Sequence, residues 1–206
     1  MCSDIIFIAT KPNYAASVLE EIKGELNENK LIVSICAGVS TSKIEKVIGK
    51  QRVVRVMPNT PAMILEGMSG VCRGTYATED DAQFVVELLS NIGKAIEVKE
   101  EQIDIVTAIS GSGPAFFYKV IEDIARAGEK LGLDYEKSLM LAVQTAIGSA
   151  KMVMQRGEVP VQTLVDNVAT KGAGAVWVGS SATFTMRGGI ISNNRALMGA
   201  GIYINN

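Results

Sequence analysis

The sequence predicts an α/β protein in two parts, an open parallel sheet flanked by helices and then an all-helical region. Three observations carry this. Short β-branched runs alternate with amphipathic stretches over residues 4–99, no strand-like run follows until the last third of the chain, and long apolar patterns of helical period occupy 100–168. Alternating βαβα order implies parallel strands with helices covering the sheet. The change of period places the domain boundary at 99/100, dividing the 206 residues into 1–99 and 100–206.

The elements follow in order. "DIIFIA" (4–9) is a buried strand and "NYAASVLEEIKGELN" (13–27) a helix with Val18, Leu19, Ile22 and Leu26 on one face. "KLIVSIC" (30–36), "RVVRVMP" (52–58), "GVCRG" (70–74) and "KAIEVK" (94–99) are strands, with a short helix over 40–49. Thr78 caps the helix that begins "TEDDAQF", whose three acidic residues face the positive end of the helix dipole, and Gly93 closes it. Helices are expected over 100–110, 114–131, 135–155 and 160–168, with Asp134 capping the third and Pro160 in the first turn of the last. Apolar positions of 135–155, among them Leu139, Leu141, Ala146 and Met154, exceed a narrow stripe. This helix is therefore buried on several sides, within its own domain or against another subunit.

Composition narrows the chemistry. With 20 Lys+Arg against 22 Asp+Glu and no dense basic run, nothing recommends a nucleic-acid partner. No apolar run reaches membrane-spanning length and the first residues lack a basic leader, so a soluble, cytoplasmic protein is expected, with no membrane partner. Cys2, Cys36 and Cys72 are odd in number and widely spaced, the pattern of reduced, buried thiols and not of a metal site. There is no histidine, which excludes Ser-His and Cys-His nucleophiles and His-ligated zinc. Chemistry falls to carboxylates, Lys, Tyr, hydroxyls, backbone groups or a bound cofactor.

Three loops leave predicted parallel strands at one sheet edge, where open α/β sheets bind ligands. They carry Thr10, Lys11 and Pro12, then Ala37 and Gly38, then Asn59 and Thr60. Turn chemistry explains each loop singly, and Lys11 alone is an ordinary solvated lysine. Their coincidence suits a planar ring with an amide approaching the backbone. The "SGSGP" stretch (110–114) reads either as a break with a Ser112 or Gly113 cap before a helix, or as an anion-favouring cluster of N–H groups at a helix N-terminus.

"ATKP" (9–12), "VVRVMPNTPA" (53–62), "EGMSGV" (66–71) and "AISGSGPAFFYKVIEDIARAGEKLGL" (108–133) resemble pyrroline-5-carboxylate reductase, in the right order and over residues 4–172. The resemblance implies reduction of 1-pyrroline-5-carboxylate to L-proline by hydride transfer from NADPH or NADH, the last step of proline biosynthesis. It also implies a Rossmann domain, here incomplete, followed by an all-α dimerisation domain, and hence a homodimer or higher homo-oligomer. By the same resemblance Thr10, Lys11, Pro12, Ala37, Gly38, Asn59 and Thr60 bind the cofactor. Ser112, Gly113, Glu158, Asn167, Val168 and Thr170 bind the substrate. No catalytic acid or base and no metal ligand is assigned.

Two departures qualify that picture. No G-x-G-x-x-G loop follows a strand anywhere in the sequence, so the usual pyrophosphate cradle is lacking and at least one βαβ unit is expected to be missing. After Lys171 the family pattern ends: Ala175 stands where the family has a substrate-contacting threonine, and only "TFTMRGGII" (183–191) has weak strand character. A degenerate gene end and a divergent tail both fit. The alternative function is a truncated, catalytically silent homologue that keeps the oligomerising helices. A β-hydroxyacid dehydrogenase-like reductase is disfavoured by "SGSGPAFF".

Overall fold

The computed structural model describes residues 3–169 and the backbone of 176–178 and 202–204. The chain divides into two compact units, Met1–Val120 and Ile121–Asn206. Thr170 and the 183–191 segment lie outside the described residues.

The first unit is built on a five-stranded sheet in sequential order, β1 (Ile5–Ile8), β2 (Leu31–Ser34), β3 (Arg52–Met57), β4 (Gly67–Arg73) and β5 (Gly93–Glu97). Between them come α1 (Ala15–Ile22), α2 (Thr41–Ile48) and α3 (Glu79–Leu89). Strands β1, β2 and β3 are parallel, and Ile8, Ser34 and Arg55 lie side by side in register. The expectation of an all-parallel sheet needs one correction: β4 runs antiparallel to β3, and β5 is parallel to β4. Residues 58–66 are too short for a crossover of a dozen or more residues, so the chain must turn back.

Alternation along the strands separates two cores. Ile8, Ile32 and Val53 face Leu19, Ile44 and Ile48 of α1 and α2, while Val33, Val54, Val56 and Val71 face Val85 and Leu89 of α3. Each such side chain contributes roughly 1.5–3 kcal/mol when fully buried. Gly93 begins β5 at φ +144, where a Cβ would stand 2.1 Å from the Gly67 carbonyl oxygen. It therefore opens β5 and is not the stop of the preceding helix, which ends at Leu89.

Helix α3 starts with a capping box. Asp81 N–H donates to Thr78 Oγ1 (3.1 Å) and Thr78 N–H donates to Asp81 Oδ2 (2.8 Å), while Asp81 Oδ1 also accepts from Arg52 (2.7 Å). Thr78→Ala removes one half of the box and is expected to lower stability by ~1 kcal/mol, read as a shift in urea midpoint. An unchanged midpoint would show that the Asp81–Arg52 pair alone holds the helix end.

At the far end of β3 a polar cluster docks the chain that leaves the sheet. Arg55, nearly fully buried, pairs with Glu100, whose Oε2 accepts from Thr41 Oγ1 (2.9 Å) and Cys72 Sγ (3.2 Å). Burial raises the Glu100 carboxyl, but the bonds from Cys72, Thr41 and Arg55 and the Arg55 charge outweigh it, and the net direction is down. Burial, then the bond to Glu100, pushes Cys72 up to about 12, so its thiol stays protonated and donates. The cluster fixes the start of α4 (Ile103–Val106), which lies on β4 where a Cβ at Gly70 would meet Val106 Cγ1 at 2.8 Å.

From α4 the chain runs through a π-helical turn (Thr107–Gly111) into α5 (Gly113–Lys130). The second unit continues that helix from Ile121 and adds α6 (Tyr135–Gln155), α7 (Val161–Ala169) and a two-stranded parallel pair, β6 (Val176–Val178) with β7 (Ile202–Ile204). Helix α5 ends in a Schellman turn: Leu133 N–H reaches the Gly128 carbonyl (3.1 Å) and Gly132 N–H the Glu129 carbonyl (3.0 Å), with Gly132 at φ +97. Asp134 then caps α6 through Lys137 N–H (3.1 Å). Gly128 lets Ser138 pack against α5, and Arg126 stacks 4.3 Å over the Tyr135 ring.

Candidate active site

All three predicted loops leave the same edge of the sheet, since β1, β2 and β3 are parallel and in register. The first two are tied together: Ile35 N–H donates to the Ile8 carbonyl (3.1 Å), and Cys36 Sγ donates to the Thr10 carbonyl (3.3 Å). Cys36 is thereby a buried strut. Lys11 and Pro12 are exposed, as are Ala37 and Gly38, and no atom lies within 4 Å of where a Gly38 Cβ would stand. Between Pro12 and Gly38 opens a cleft of about 360 Å³ that Lys43 borders, its Nζ donating to the Gly38 carbonyl (3.3 Å).

The third loop is arranged differently. Asn59 is half-buried and its amide is engaged on both sides, with Nδ2 donating to the Ser110 carbonyl (3.1 Å) and Oδ1 accepting from Met68 N–H (2.9 Å). Thr60, exposed, begins the 3₁₀ turn that follows. Asn59 thus joins the β3 loop to the "SGSGP" stretch.

That stretch is no break. Ser112 N–H donates to the Thr107 carbonyl (2.8 Å), an i−5 bond, and the hydroxyls of Thr107 and Ser110 bond the carbonyls of Ile103 (2.8 Å) and Val106 (3.0 Å) one turn back. Hydroxyls bonded to the helix's own carbonyls compete with its ladder and bend it, and single π turns cluster at functional sites. The Ser112 N–H group is therefore spent inside the helix and does not join a nest of free donors. Gly113 is buried, yet a Cβ there would meet open space.

Asn59, Pro61, Ser110, Gly113, Pro114 and Phe117 border a pocket of about 310 Å³, with Ile109 and Tyr118 beside them. Among the described residues it is lined by no carboxylate, lysine or histidine. Such a pocket can position an apolar ring and exclude water, but it cannot supply a strong acid or base. The lining by Phe117 and Tyr118 was not foreseen from sequence, although Phe117 follows Gly113 at i+4 and so shares its helix face. Glu158, exposed after α6, and Asn167 and Val168 on α7 all belong to the second unit.

A doubly covered sheet with glycine- and proline-rich loops at the carboxyl edge of its parallel strands, followed by helices, defines the class: a Rossmann-type α/β protein with a helical C-terminal region. Residues 100–176 match the family model described as pyrroline-5-carboxylate reductase dimerisation. Similar proteins include pyrroline-5-carboxylate reductase 1 of Bacillus subtilis, 40% identical over 81% of this chain and 56% of that one. Another is the pyrroline-5-carboxylate reductase of Arabidopsis thaliana, 39% identical over 82% of this chain and 61% of that one. The solved pyrroline carboxylate reductase of Plasmodium falciparum, which has NADP bound, is 42% identical with a TM-score of 0.76, covering 81% of this chain and 63% of that one. Residues 100–176 therefore belong to the pyrroline-5-carboxylate reductase dimerisation family, and the rest of the matched chain is similar to the same reductases. The chain spans roughly three fifths of the length of the relatives it matches.

Proposed function

We propose that the protein reduces 1-pyrroline-5-carboxylate to L-proline with NADPH or NADH, as a homodimer or higher homo-oligomer. The observation that carries this reading is the uncharged pocket between Asn59 and Pro114, set beside the sheet edge where α/β proteins receive dinucleotides. When bound, the reduced nicotinamide supplies the hydride that adds to the imine carbon, and the C=N π pair becomes the nitrogen lone pair. A protonated cyclic imine is already electrophilic, so the protein's part is orientation and exclusion of water. A pocket whose one ionisable group among the described residues is the weakly acidic Tyr118 phenol fits that division of labour.

Thr10, Lys11, Pro12, Ala37, Gly38 and Thr60 are assigned to the cofactor, and the exposure of all but the half-buried Thr10 along one edge supports the assignment. Lys43, beside Gly38, adds a cation to the same cleft. Gly113 and Ser112 are assigned to the substrate wall. Glu158, Asn167, Val168 and Thr170 are assigned to the substrate on the family likeness alone. The domain boundary at 99/100 belongs to the same proposal and is supported by the family match beginning at residue 100. A cytoplasmic site of action agrees with the unpaired, buried Cys36 and Cys72; among the described residues no helix is long and apolar enough to cross a membrane.

The test is proline formation from pyrroline-5-carboxylate at millimolar NADPH, followed by nicotinamide absorbance and by chromatography of the product. Turnover by the unaltered chain is expected. Gly113→Ala is informative beside it, because its methyl enters open space and replaces a helical glycine. Its cost in stability is expected to be small, since a Cβ directly before Pro114 disfavours helical backbone but meets no other atom within 4 Å. If the pocket holds the imine, the same methyl raises KM for pyrroline-5-carboxylate severalfold. No proline from the unaltered chain at saturating cofactor would overturn the proposal.

A further inference from the structure

Pro114 creates a deficit that Asn59 fills. In a continuous helix the Ser110 carbonyl would accept from the N–H of residue 114, but proline has none. The next donor along, Ala115 N–H, is directed to the Ser112 carbonyl (3.1 Å). Asn59 Nδ2 supplies the bond to Ser110 O instead, while Oδ1 holds Met68 N–H at the start of β4. One side chain thus ties the loop after β3, the first residues of β4 and the π-helical turn at a common point.

We propose that Asn59 is a positioning residue for hydride transfer: by donating to the Ser110 carbonyl it sets the separation of the two pocket walls, Pro61 on one side and Pro114 with Phe117 on the other. This inference rests on the proposed reductase activity. It also reassigns Asn59, because a side chain whose amide is spent on Ser110 and Met68 shapes the site and is not a direct ligand of the nicotinamide. A misplacement of about 1 Å in a reacting pair can lower the rate about 100-fold without altering what is bound.

The experiment compares four full-length chains in steady-state kinetics: unaltered, Asn59→Asp, Asn59→Ala and Asn59→Ala/Pro114→Ala. Asn59→Asp keeps the acceptor for Met68 and loses the donor for Ser110. It is expected to lower kcat by roughly tenfold or more, with KM for NADPH changed less than about twofold. In the double variant residue 114 regains an N–H for the Ser110 carbonyl, and kcat is expected to recover severalfold over Asn59→Ala. Should Asn59→Ala fail to fold, Asn59→Asp carries the same kcat-against-KM comparison. Unchanged kcat in Asn59→Asp would overturn the inference. So would a raised KM for NADPH with no recovery by Pro114→Ala, which would make Asn59 a direct cofactor ligand. No turnover by the unaltered chain would overturn the reductase reading itself.

Discussion

Ile147→Glu is expected to convert the protein from a homo-oligomer to a monomer on a sizing column, with little loss of secondary structure. Met140, Ile147 and Met154 lie seven residues apart on α6, and seven residues advance a helix by two turns less ~20°, so the three form one line. They are 73%, 43% and 64% exposed in the single chain. An apolar line of this kind on a helix of the family's dimerisation segment is best explained by a second copy covering it. A carboxylate placed at its centre stays partly hydrated in the monomer. Inside an interface, unpaired, it costs several kcal/mol, which corresponds to a weakening of association by a factor of 100 or more. A mutant that elutes with the unaltered protein would show that this line faces no partner.

Arg55→Met should be the most damaging single change in the first unit that leaves side-chain volume nearly intact. It removes the guanidinium from beneath Glu100 and leaves a carboxylate held by Thr41 and Cys72 alone. Breaking a buried pair from one side costs about 3–5 kcal/mol. The Glu100 side chain is 28% exposed and can still reach water, which puts the expectation at the low end, ~3 kcal/mol in urea unfolding at neutral pH. The pH dependence has a definite sign. Because Glu100 is shifted down in the folded protein, the unfolded chain binds the proton more readily. Its contribution is full above the unfolded carboxyl value of about 4.3 and is lost as pH falls through the depressed folded value. Arg55 supplies part of that depression, so Arg55→Met should lose stability less steeply in acid than the parent. Parallel acid profiles would mean that Thr41 and Cys72 hold the carboxylate without help.

The elements of the fold were legible because their signals are local. The β-branched apolar runs of "KLIVSIC" and "RVVRVMP", the Thr78 and Asp134 caps, and the apolar excess of 135–155 each depend on residues within a few positions of one another. The sequence by itself therefore determined where strands and helices lie, that the sheet has two buried faces, and which loops gather at its carboxyl edge. Other features depend on which residues meet across the chain, and these only the tertiary structure decided. The direction of β4 follows from the connection over 58–66, whose length could be judged only once β4 was seen to begin at Gly67. The "SGSGP" stretch looked like a break because glycine and proline punctuate most helices; the hydroxyl bonds of Thr107 and Ser110 and the packing of Val106 at Gly70 carry the helix through as a π turn. Nothing in the sequence singled out Arg55 or Glu100, and nothing in it joined Asn59 to Ser110. Their partners lie 45 and 51 residues away in sequence. A hydrogen bond to such a partner is set by strand register and helix docking, and neither leaves a trace in hydropathy.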